Sequence, residues 1–97
     1  MNTEQRLIEV IREARRQNEW AVIEVCELHP GGDGLVPHGL VRFNRPNSPL
    51  GEGLSYGTAE WANPIGARFQ FQRGHYDLDE RGAANDYALR RSVGRAG

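Results

Sequence analysis

Apolar residues recur at helical spacing from the start of the chain. In TEQRLIEVIREARRQN, residues 3–18, Leu7, Ile8, Val10, Ile11 and Ala14 share one face and charges take the other. The pattern predicts an amphipathic helix. Asn2 or Thr3 can cap its start, and Arg12, Arg15 and Arg16 suit the negative pole near its end. Glu9 with Arg12 and Glu13 with Arg16 are spaced to pair along the helix.

The period then shortens to that of a strand. WAVIEVCEL, residues 20–28, is short and β-branched. Strict alternation puts Ala21, Ile23 and Val25 on one face and Trp20, Val22, Cys26 and Leu28 on the other. A strand apolar on both faces belongs inside a sheet, with at least one face beneath a helix. From His29 to Gly53 the chain holds ten of its seventeen glycines and prolines, so turns dominate and only Leu40 to Phe43 reads as strand. Loops of this length often carry function, and part of any binding surface is expected there. LSYGTAEWA, residues 54–62, alternates as a strand, although TAEWA could form a helical turn before NPIG. ARFQFQR, residues 67–73, sets Phe69 and Phe71 against Arg68, Gln70 and Gln72, as an antiparallel strand with one wet face does.

Residues 73–91, RGHYDLDERGAANDYALRR, admit a structural and a chemical reading. Asp77 and Glu80 have the spacing of a reciprocal helix cap, and Asp79 adds negative charge to the first turn. Ala83, Ala84, Tyr87 and Ala88 then form a thin apolar face, Arg90 and Arg91 fall in the last turn, and Gly94 is placed to end the helix. A hairpin turning near Arg81 to Asn85 competes with that helix. In the chemical reading, His75, Asp77 and Asp79 alternate and share one face of an extended strand, as metal ligands or an acid–base pair would. Capping gives every acid a structural role and is the reading adopted here. No catalytic residue, metal or cofactor is then expected; His75, Asp77 and Asp79 are the ligands if capping fails.

Together these elements predict one α+β domain over residues 1–97. It comprises an N-terminal helix, a three- to four-stranded mainly antiparallel sheet and a C-terminal helix, with both helices on one face. The other face, or an open edge, would be left for a partner or a second copy of the chain, making a homodimer. Cys26 is the single cysteine, so no intrachain disulfide forms. MNTEQRL lacks the basic and apolar regions of a signal peptide, and no apolar run is long enough to span a bilayer, so a soluble, cytoplasmic protein is expected.

A formal net charge of −1 creates no global field toward nucleic acid or membrane. All twelve basic residues are arginine, a bias that a GC-rich genome explains more simply than ligand chemistry. Cys26 and His29 have zinc half-site spacing, with His38 and His75 to complete it, but the second pair is missing. GGDG lacks the lysine and hydroxyl of a phosphate loop, and Ser48, Ser55 and Ser92 lack a nucleophile context. Phe69 and Phe71, flanked by Arg68 and Arg73, resemble the base-stacking aromatics of single-strand binders, and Arg90 and Arg91 add charge. Arg42, Arg45, Arg68, Arg73, Arg90 and Arg91 are the candidate partner contacts.

The strand FQFQRGHYDL followed by DERGAANDYALRR resembles the ends of small proteins encoded by phages and mobile elements, through Gly74, Tyr76, Ala84, Asp86, Tyr87 and Arg90. The resemblance covers roughly a quarter of the chain. It implies a cytosolic factor that binds a host protein or protein complex, as anti-CRISPR inhibitors do. The near-neutral charge does not suit mimicry of DNA. The expected function is a non-enzymatic protein-binding module, with nucleic-acid binding and a small metal-dependent enzyme as alternatives.

Overall fold

The structure, a computed structural model, describes residues 1–50, 52–64 and 66–96, with the backbone alone at Glu52, Arg95 and Ala96. Gly51 of the long loop, Ile65 of NPIG and the Arg95 side chain lie outside the described residues. Helix α1 spans Thr3–Asn18. Asn2 is its cap: the Asn2 side chain accepts from the Gln5 amide at 2.9 Å, and the Gln5 side chain accepts from the Asn2 amide at 3.0 Å. The expected pairs form too, Arg12 to Glu9 and Arg16 to Glu13. Glu19 ends the helix in the left-handed region, φ 59°, with its amide on the Ala14 and Arg15 carbonyls. That tight exit swings Trp20 back over the sheet.

Four strands follow: β1 (Ala21–His29), β2 (His38–Asn44), β3 (Tyr56–Ala62) and β4 (Gln70–Leu78), antiparallel in the order β1-β2-β3-β4. Helix α2 spans Glu80–Ala96 and settles the helix-or-hairpin alternative. TAEWA is strand, and β4 runs further than expected, taking in His75 and Tyr76. GGDG is a turn, with Asp33 and Gly34 both at positive φ between paired Gly32 and Leu35. Gly94 does not end α2. It lies inside the helix, where a side chain would strike Leu28.

The two helices lie on opposite faces, which corrects the one-face expectation. Val41 and Phe43 of β2 join Val10 and Ala14 of α1 in one cluster, whereas the intervening parity, Leu40, meets Tyr87 of α2. No whole sheet face is therefore left bare. A three-layer arrangement follows because β2 buries residues on both sides, Val41 and Phe43 towards α1 and Leu40 towards α2. Helix α1 crosses the sheet, tied to β1 through Arg6 and Glu27 and to the start of β4 through Gln17 and the Phe69 carbonyl. Leu7, Val10 and Ala14 face the core, but Ile8 and Ile11 are about half exposed, so the apolar face is narrower than its pattern suggested.

Bulges explain the strand residues that sequence alternation misplaced. The β1–β2 register slips between Val22 and Glu24, leaving Ile23 exposed and turning Val22 and Val25 to the same face. In β4 the register slips twice, with Arg73 and Asp77 at φ 52° and 60°. Both edge strands are thus bulged, a feature that discourages pairing with another strand.

The α1 face carries an aromatic layer. Trp20 stacks on Phe43 with ring centroids 3.8 Å apart, and Phe71 meets Trp20 edge-on at 5.4 Å. Two glycines make room for the rings. Trp61 lies across Gly39 and donates from Nε1 to the Cys26 carbonyl at 3.0 Å, where any β-carbon at Gly39 would collide with backbone. Phe43 lies over Gly57, its register partner, in the same way.

Candidate functional site: the polar seam beneath α2

Helix α2 meets the sheet through polar groups. Asp79 caps it, accepting from the Gly82 amide at 2.6 Å, so the cap sits two residues later than the spacing of Asp77 and Glu80 suggested. Asp77 cannot take that role because it is the left-handed bulge residue of β4; it pairs with Arg45 at 3.5 Å instead. One cap then orients α2 so that Asp86 and Arg90, one turn apart, face β3 and β4.

Asp86 is the hub of this seam. Its Oδ2 accepts from the hydroxyl of fully buried Thr58 and from Nδ1 of His75 at 2.8 Å. An ionised carboxylate only accepts, so His75 donates to it from Nδ1. Arg90 donates from Nη1 to the Thr58 hydroxyl at 3.0 Å and from Nη2 to the Arg73 carbonyl at 2.6 Å. Burial alone would raise the Asp86 carboxyl. The hydrogen bonds from Thr58 and His75, with the positive charge of His75 and Arg90, outweigh burial and hold it below the ordinary aspartate value.

A histidine oriented by an aspartate is the geometry of a general base. Here, however, the aspartate is shared with a threonine and the arginine closes the loop to the backbone, so the same bonds fasten α2 to β3 and β4. The His75 side chain stands half exposed.

A second cluster lies between α2 and β1. Glu24 accepts from Arg42 at 3.1 Å, and Nη1 of Arg91 stands 4.0 Å from its other oxygen. Tyr87 is buried beside Cys26. Burial, reinforced by the neighbouring thiol and by Glu24 and opposed by Arg91, pushes its phenol far above the usual value, so it stays protonated.

The structure scatters the sequence-predicted residues. Arg42 and Arg91 share Glu24; Arg73, 3.4 Å from Glu60, and Arg90 flank the His75 seam. Arg45 sits over Tyr76, 5.3 Å from the ring centre, at the far end of β4. Arg68 lines a hollow with Arg16 and Gln17 near the start of β4. They form no single basic stripe. His75, Asp77 and Asp79 do not converge either, since the bulge at Asp77 breaks their alternation and each has its own partner. Among the described residues no three His, Cys, Asp or Glu side chains gather to hold a metal. Cys26 is buried, and His29 and His38 stack on each other across the strands. Phe69 is buried against Trp61 and Phe71 is half-buried, which removes their faces from base stacking. No described helix is long and apolar enough to cross a membrane.

Thr58, Asp86 and Glu24 were missed as site residues. Asp86 carried the one usable signal, a lone acid among arginines four positions from Arg90. No known protein family, curated protein or solved structure matches this chain.

Proposed function

We propose that this protein is a non-enzymatic protein-binding module whose contact surface includes the outer flank of α2. One observation carries the reading: Leu89 and Val93, a single turn apart, are each 64% exposed on a helix whose neighbouring positions are bonded to the sheet. The solvent flank of a docked helix is usually polar, and two apolar side chains a turn apart there offer a contact. Arg73, whose side chain is 75% exposed, and Arg90 lie on the same flank, so the partner that fits is apolar with an acidic rim. The closed bonding of Thr58, His75, Asp86 and Arg90 favours this reading over catalysis, and the dispersal of the arginines favours it over nucleic acid. The finer reading, an inhibitor of a host defence system carried by a phage or mobile element, rests on the resemblance of the C-terminal segment.

The test is retention from a bacterial lysate by the immobilised chain, repeated with Leu89→Asp/Val93→Asp. Wild type should retain a defined protein that also binds when purified, and the double variant, folded by circular dichroism, should lose it at least about tenfold. Equal retention by both, or substrate turnover that His75→Ala abolishes, would overturn the proposal. The finer reading is tested by expression in a defended host, where restored plaque formation is expected.

A further inference from the structure

The opposite flank of α2, away from Leu89 and Val93, contains buried polar groups without a hydrogen-bond partner among the described residues. Glu24, Ala84, Tyr87, Ala88, Arg91 and Ser92 line a hollow between α2 and β1. Tyr87 is 3% exposed, yet among the described residues its hydroxyl has no hydrogen-bond partner, and neither has the buried Nε of Arg91. Cys26 is near enough to act on the phenol but does not make a bond of ordinary geometry. Glu24 does not supply the acceptor: its Oε1 holds Arg42 at 3.1 and 3.3 Å, and its Oε2 stays 4.0 Å from Arg91, beyond hydrogen-bond reach.

Two donors without acceptors are buried beside this hollow, where folding normally satisfies such groups. Two arginines also share one carboxylate, which leaves one positive charge uncompensated. Ala84 and Ala88, a turn apart, keep the helix wall low enough for a small planar group to lie against it.

We propose that this hollow binds a carboxylate, with Arg91 and Tyr87 donating to its two oxygens. A guanidinium presents parallel donors that match a carboxylate, and the phenol adds a third. Glu24 at the rim disfavours a dianion such as phosphate. The carboxylate comes from a small free acid or from an acidic side chain of a peptide. This site is separate from the surface of Leu89 and Val93, so each can fail without the other.

The full chain, labelled with nitrogen-15, is titrated with N-acetylglutamate amide, N-acetylglutamine amide, sodium acetate and inorganic phosphate. N-acetylglutamate amide should shift the amides of Glu24, Ala84 and Arg91 saturably, at roughly millimolar concentration, and the glutamine compound should not. Arg91→Gln should weaken binding about tenfold, and Tyr87→Phe several-fold. Tyr87→Phe should leave the melting temperature unchanged or higher, because the lost hydroxyl had no partner. Acetate shifting the same amides as strongly supports a free acid; a response to N-acetylglutamate amide alone supports a peptide. No saturable shift with either carboxylate, equal shifts with the glutamine compound, stronger binding of phosphate, or a clearly lower melting temperature for Tyr87→Phe would overturn the assignment.

Discussion

The two faces of one sheet hold their helices by different physics. Under α1 the contact is mainly rings and aliphatic groups, Trp20 on Phe43, Trp61 over Gly39, Val10 and Ala14 closing from above, with the Arg6 to Glu27 ion pair at one edge. Under α2 the apolar share is small, Ala83 and Tyr87 with Cys26 and Leu40, and the remainder is hydrogen bonds and ion pairs. An apolar layer is non-directional and gains with every contact, whereas a polar seam is worth little net unless every member is satisfied. The difference teaches where function can reside. A face held by exchangeable bonds can carry unsatisfied donors beside a hollow and exposed apolar residues on its flank, while the polar groups described between α1 and the sheet, Arg6 with Glu27 and Gln17 with the Phe69 carbonyl, already have partners.

Breaking the aromatic face should cost most. Phe43 is fully buried, so Phe43→Ala is expected to remove about 3–5 kcal/mol of stability, measured by urea unfolding at constant m-value. Gly39→Ala should cost about 3 kcal/mol or more, because its β-carbon would collide with the Cys26 carbonyl oxygen and force β1 and β2 apart; loss of the Trp61 to Cys26 bond would appear as a changed tryptophan fluorescence. An unchanged midpoint for either variant would show that the rings do not carry the fold.

The polar face should respond least to substitution and most to acid. Asp86→Asn is expected to cost about 1 kcal/mol at neutral pH, since the amide keeps an acceptor but loses its charge. The Asp86 carboxyl is held below its ordinary value in the folded state, so its contribution is present above the unfolded value of about 3.9 and disappears as pH falls through the folded value. Glu27, on the α1 side, behaves likewise: its hydrogen bond from Arg6, helped by Thr3 and by the charges of Arg6 and His29, outweighs burial and lowers it. Wild type should therefore lose stability below about pH 4, and Asp86→Asn should show a flatter acid limb with the Glu27 part remaining. Identical limbs in thermal unfolding from pH 5 to 2 would remove Asp86 as the hub.

Local pattern determined a good deal of this molecule. The helical period of residues 3–18, a cap at Asn2 or Thr3, the Gly-rich turn at residues 31–34 and a strand around Leu40 to Phe43 all follow from interactions within a few residues; the structure chooses Asn2 and lengthens the strand to His38–Asn44. The helix after β4 was legible for the same reason, although its cap moved from Asp77 to Asp79 and β4 ran past the end expected at Arg73. What tertiary structure alone decided was parity and side. A bulge adds one residue to a strand and reverses every assignment beyond it, and its position at Ile23, Arg73 or Asp77 depends on the partner strand rather than on local propensity.

The same limit hid the site. Thr58, His75, Asp86 and Arg90 come from three elements and meet only because α2 crosses the sheet on the face opposite α1. His75 and Arg90 stand out singly in the sequence, but with other partners in view, while Thr58 and Asp86 read as ordinary strand and helix residues. Sequence fixes which groups exist and which turn of backbone they sit on; which of them share a low-dielectric contact is set by how layers stack, and that is a property of the whole chain.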